Sequence, residues 1–134
     1  MPSLAEIRDT NRLLIESAGD PPEFHFLEHR GAVESAIEVA EAYWNQSQDI
    51  AGTVARLSAS LSKHQPFRDT NHRTAFVIGR LVLQRNRYGF LVRDEDAEFA
   101  AILSKDRDPY RSLEAQVEEL TELFDRRIEE GRLV

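Results

Sequence analysis

The sequence predicts an all-α domain of about six helices built around one buried central helix. Apolar residues recur three and four positions apart in almost every segment. Gly, Pro and Asp-Pro breaks separate those segments. One segment, "TAFVIGRLVL" from Thr74 to Leu83, is apolar nearly all round, and such a helix must be covered by others.

The first helix opens on a capping box made by Ser3 and Glu6 and carries Leu4, Ile7, Leu14, Ile15 and Ala18. Gly19, with Pro21 and Pro22 beyond it, closes that helix. "PPEFHFLEHR", Pro21 to Arg30, has no clean period and reads as a loop or a short extended piece. A second helix, Gly31 to Asn45, turns Val33, Ala36, Ile37, Ala40, Tyr43 and Trp44 inward. The third, Gln48 to Lys63, has Ile50, Val54, Leu57 and Leu61 at helical spacing. The fourth, Thr74 to Leu83, is the expected central helix. Gly79 inside it marks a close crossing, because Gly otherwise costs about 1 kcal/mol there. "RNRYGF" ends it near Gly89. A short fifth helix spans Glu95 to Ser104 with Asp94 as its cap, and Asp108-Pro109 breaks the chain again. The last helix starts at Ser112, stacks Leu113, Val117, Leu120, Phe124 and Ile128 on one face, and stops at Gly131.

The 134 residues read most simply as one domain, 1–134, long enough to bury a core without a staple. The absence of cysteine excludes disulfides, thiolate metal sites and a cysteine nucleophile. No apolar run reaches membrane-spanning length, and "MPSLAEIRDT" lacks the parts of a signal peptide, so the expected location is cytoplasmic with no membrane partner. A net charge of −7 argues against nucleic acid as a partner, since phosphate neutralisation needs clustered Lys and Arg. His25 and His29 stand four apart, but no third metal ligand lies near them in sequence. The glutamates of the last helix, among them Glu118 and Glu122, line its polar side and read as a solvated face.

The chemistry gathers in "SKHQPFRDTNHRTAF", Ser62 to Phe76. It ends one helix, turns through Pro66 and Phe67, and presents Thr70, Asn71, His72 and Arg73 where the apolar helix begins. The first backbone N–H groups of a helix lack intrahelical partners and its dipole is positive there, which makes an anion site. Arg73 adds a planar, bidentate phosphate-binding group. Asp69 supplies a hard oxygen ligand for a cation such as Mg²⁺, and Phe67 plugs the turn into the core. Together they suit a nucleotide polyphosphate. The plainer alternative is that Asp69 or Asn71 caps the helix and Arg73 is solvated.

"QPFRDTNHR" resembles the signature of the Fic/Doc family, His-Pro-Phe-x-(Asp/Glu)-(Gly/Ala)-Asn-(Gly/Lys)-Arg, with Pro66, Phe67, Asp69, Asn71 and Arg73 on matching positions. The continuation "RTAF" is similar to the Doc (death-on-curing) toxin branch, and "RGAVESAIEVAEA" resembles the Doc-type segment after the target-docking loop. The resemblance implies a Fic/Doc-like helical fold and transfer of part of a nucleotide to a protein hydroxyl, with ATP and Mg²⁺ as cofactors. It implies Asp69 as the metal ligand, and Thr70, Asn71, His72 and Arg73 as the phosphate-binding set. It makes Pro21 to Arg30 the flap that aligns the target chain by strand addition. The partners it implies are a protein substrate and, for a Doc-like toxin, a small antitoxin.

The sequence departs from the signature in three places. Gln65 stands where the family has its general base His, and a Gln amide cannot take a proton from a hydroxyl near neutral pH. His64, one residue earlier, is the candidate substitute if the turn carries a one-residue bulge; otherwise it is a surface or capping residue. Thr70 replaces Gly or Ala, narrowing the backbone's approach to phosphate while adding a hydroxyl donor. His72 replaces Gly or Lys, as a weak phosphate donor or a solvated side chain. The adenylylating branch carries a second Arg where this chain has Phe76, so the resemblance favours transfer of a phosphoryl group over AMP. No Ser or Thr has a Glu four residues on, so the family's internal inhibitory motif is missing and restraint would come from another chain.

Overall fold

The computed structural model describes residues 1–19, 29–64, 71–88, 97–104 and 112–132. They form six helices and, among the described residues, no strand: α1 (Leu4–Ser17), α2 (Arg30–Ser47), α3 (Ile50–Lys63), α4 (Asn71–Arg85), α5 (Ala97–Ser104) and α6 (Leu113–Arg132). The expected cap at Asp94 and the loop or flap from Pro21 lie outside the described residues, apart from the flap's last two, His29 and Arg30. No helix among the described residues is long and apolar enough to cross a membrane.

Local chemistry sets the helix ends. Ser3 Oγ accepts from the Glu6 N–H at 3.2 Å, and Glu6 Oε1 accepts from the Ser3 N–H at 3.1 Å, which completes the expected capping box. Gly19, at φ +74°, closes α1 with its N–H on the Glu16 carbonyl. Between α2 and α3 the division falls two residues later than the spacing predicts. Gln48 takes a left-handed conformation at φ 55° to end α2, and Asp49 caps α3 by accepting from the Gly52 N–H at 3.2 Å. Arg87, at φ 62°, ends the turn after α4, with Tyr88 N–H on the Leu83 carbonyl and Arg87 N–H on the Gln84 carbonyl. That is a Schellman arrangement made by an Arg where Gly is usual. Ser112 Oγ accepts from Ala115 N–H at the head of α6, but Gly131 does not stop that helix, which runs to Arg132.

The central helix is α3, not α4. It packs along α2, α4 and α6, and of its residues only Ile50, Arg56, Ser60 and Lys63 are partly exposed. The physical reason is size. Ala51, Ala55, Ser58, Ala59 and Ser62 are small enough for three neighbouring helices to approach α3 closely. Hydropathy patterning weighs bulky apolar residues most heavily and so points to α4. There Ala75, Ile78, Val82 and Leu83 are buried, while Phe76, Val77 and Leu81 lie half-buried on its outer side. Phe99 of α5 covers part of that side, its ring 4.9 Å from the Phe76 ring. Gly79 does mark a close crossing: a Cβ there would stand 2.9 Å from Ser58 Oγ and 3.1 Å from Val54 Cγ1 of α3.

Candidate functional site

α3 ends and α4 begins on either side of the segment 65–70, so the candidate site sits where the central helix hands over to its neighbour. Gln65, Pro66, Phe67, Asp69 and Thr70 lie outside the described residues. His64 is the last described residue before them. It is the C-cap of α3, its N–H bonds the Ser60 carbonyl at 3.1 Å, and its exposed ring makes no hydrogen bond among the described residues.

α4 starts at Asn71, three residues before the apolar pattern predicts, so Asn71, His72 and Arg73 form its first turn. Their N–H groups are among the four that a helix leaves without intrahelical acceptors. Asn71 is half-buried; Arg73 is exposed and makes no ion pair among the described residues. The side chain of His72 lies outside the description. A helix start beside an exposed guanidinium can hold an anion, and its donors suit phosphate oxygens. Among the described residues no group of three His, Asp or Glu could hold a metal ion; Asp69, the expected ligand, is not one of them.

Two buried polar contacts hold the head of α4. Asn11 Nδ2 of α1 donates to Thr74 Oγ1 at 3.1 Å, and Ser58 Oγ of α3 donates to the Ala75 carbonyl at 3.2 Å. Sequence reasoning missed both. A signal existed for Asn11: it stands midway between Ile7 and Ile15 on the inward stripe of α1, a polar residue where the helical period calls for an apolar one.

At the other end of α4, Arg85 pairs with Glu6 of α1. This hydrogen bond, with a second from the Ser3 N–H, holds the Glu6 carboxyl down at about 2. The cation lies in the last turn, where the helix dipole is negative. The acidic partner is therefore kept away from the end that would receive an anion. Two adjoining depressions of 360 and 330 Å³ share Arg56, Val117 and Glu118 between α2, α3 and α6, and neither includes His64, Asn71 or Arg73.

Compared with known protein families, residues 2–83 match the Fic/DOC family. No curated protein matches the chain. The matched span covers α1 to α3 and most of α4, including "QPFRDTNHR", and leaves α5 and α6 beyond it. It takes in more than half of the 134 residues, and the chain belongs to the Fic/DOC family.

Proposed function

We propose that this protein is a Doc-like transferase that moves a phosphoryl (or nucleotidyl) group from ATP to a Ser or Thr hydroxyl of a protein target, as the cytoplasmic toxin half of a toxin–antitoxin pair. The observation that carries this reading is the start of α4 at Asn71, which puts the matching Asn71 and Arg73 of the family signature in the first turn of a helix. In this reading Asn71, Arg73, Thr70 and His72 bind the phosphates, Asp69 holds Mg²⁺, and Pro66 and Phe67 shape the turn. The metal ion would neutralise charge on the phosphate oxygens. Positioning and charge neutralisation supply most of phosphoryl-transfer catalysis, so the cradle matters more than any single proton acceptor. The target hydroxyl still has to lose its proton, and His64 is the candidate base. The partners are the protein substrate and a small antitoxin that supplies the restraint this chain lacks; neither nucleic acid nor membrane takes part.

Gln65 and the exposed ring of His64 favour a second reading, a catalytically silent module that binds a nucleotide or a protein partner. Losing a general base typically lowers rate by roughly 10²–10⁴-fold. Label transfer in a cell extract with Mg²⁺ and ATP labelled at the α or the γ phosphate separates the readings. γ-Label on a protein with wild type, lost in Arg73→Ala, establishes the kinase-like transferase; α-label establishes nucleotidyl transfer. Label only with Gln65→His identifies an intact cradle without its base, and the silent module is then correct. ATP binding unchanged by Arg73→Ala would overturn the phosphate site in both readings.

A further inference from the structure

We infer that Asn11 of α1 and Ser58 of α3 are positioning residues for the phosphate-binding head of α4. The inference rests on the reading of that head given above. Asn11 is 0 % exposed and Thr74 1 % exposed. Their hydrogen bond joins positions 63 apart in sequence, and Thr74 directly follows Arg73. Ser58, also 0 % exposed, holds the very next residue through its carbonyl. Two consecutive residues of α4 are thus gripped from two different helices.

The second grip depends on Gly79. In a regular helix the Ala75 carbonyl accepts from the N–H four residues on, which is that of Gly79. A carbonyl oxygen has a second lone pair, and Ser58 uses it. A side chain at 79 would meet Ser58 Oγ, so the glycine opens the path by which the hydroxyl reaches the carbonyl.

These bonds do something that apolar packing does not. Burial of apolar surface is non-directional, whereas a hydrogen bond fixes distance and angle. Turning α4 about its axis, or sliding it by one residue, breaks both contacts at once. The rotation and height of α4 are therefore set at Thr74 and Ala75, and with them the direction in which Asn71 and Arg73 face. This accounts for an Asn on the inward stripe of α1 between two isoleucines, where an apolar side chain would be the simpler filling.

The test compares Asn11→Leu, Thr74→Val and the double variant with wild type by three measurements. The first is the thermal unfolding midpoint. The second is hydrogen exchange at the amides of Ala75, Phe76 and Val77, which bond the carbonyls of Asn71, His72 and Arg73 in a regular helix, with the amides of Leu120 to Phe124 as reference. The third is affinity for ATP with Mg²⁺. In the double variant neither end of this bond is left facing a lost partner, so the midpoint is expected to lie above that of the less stable single variant. Exchange at Ala75 to Val77 should nevertheless stay about tenfold faster, with the reference amides unchanged, and ATP affinity about tenfold weaker. Recovery of exchange and affinity together with the midpoint would overturn the inference, because Asn11 would then serve packing alone. If wild type binds no ATP, the phosphate reading falls, and the exchange rates decide the positioning role alone.

Discussion

Gly52 shows how much one absent methyl group decides. A Cβ there would press on Asp49 Oδ2 and stand 2.8 Å from the Tyr43 hydroxyl. Those two groups are bonded to each other at 2.9 Å, while Asp49 Oδ1 accepts from the Gly52 N–H. Arg56 lies over the Tyr43 ring, its guanidinium carbon 3.6 Å from the ring centre, and donates to the Gly52 carbonyl. One glycine therefore allows the N-cap of α3 and the α2–α3 contact to share the same space. Gly52→Ala gains about 1 kcal/mol of helix propensity. Overpacking and loss of the cap outweigh this, for a net destabilisation of about 2 kcal/mol. Urea unfolding checks it, and a midpoint at or above wild type would show that Asp49 moves aside freely. Of the two glycines buried among the described residues only Gly79 was legible in the sequence, as a breach in an apolar helix. Gly52 stands near a helix start, where a glycine carries no such signal.

Helix ends supply the next pair of expectations. Arg87 occupies a left-handed position, φ 62°, where an L side chain costs roughly 1–2 kcal/mol relative to Gly. Arg87→Gly should stabilise the fold by about 0.5–1 kcal/mol, the gain being reduced by the greater freedom of glycine in the unfolded chain. A lower thermal midpoint in Arg87→Gly would show that the Arg side chain contributes more than its backbone costs. The Glu6–Arg85 pair joins the start of α1 to the end of α4 and titrates in acid. The folded carboxyl is held down from 4.5 to about 2, chiefly by the Arg85 hydrogen bond, so its contribution is fully present above about 4.5 and lost as pH falls through about 2. Both side chains are partly exposed, so the effect is small and weakens with salt. The gap in thermal midpoint between wild type and Arg85→Met is expected to shrink from pH 5 downward and close near pH 2. A gap independent of pH would mean that Arg85 acts by packing alone.

On the scale of the whole molecule, α6 stabilises the site from a distance. Its Phe124 is fully buried, with its ring 6.0 Å from that of Phe99 and its edge against the Gly79 crossing. α6 covers one side of α3, and α3 in turn carries the head of α4 through Ser58. Phe124→Ala should cost about 3–5 kcal/mol. That is a large share of the roughly 5–15 kcal/mol typical of a domain. Guanidinium unfolding should show one transition at a lower midpoint with unchanged slope. Two separated transitions would mean that the family-matched residues 2–83 hold together without α6.

Periodicity, capping and a short motif are written in neighbouring residues, so the helical class, the number of helices and the family signature could be read before any fold was known. The Ser3–Glu6 box, the Gly19 stop and the Gly79 crossing were all legible in this way. Which helix lies at the centre depends on packing between segments distant in sequence. Small residues such as Ala55, Ser58 and Ala59 carry little hydropathy, and it is what they allow to approach that buries α3. Tertiary structure also decided what holds the head of α4. Asn11 meets Thr74 across 63 positions, and a contact of that range leaves no local trace beyond one polar residue on an apolar stripe.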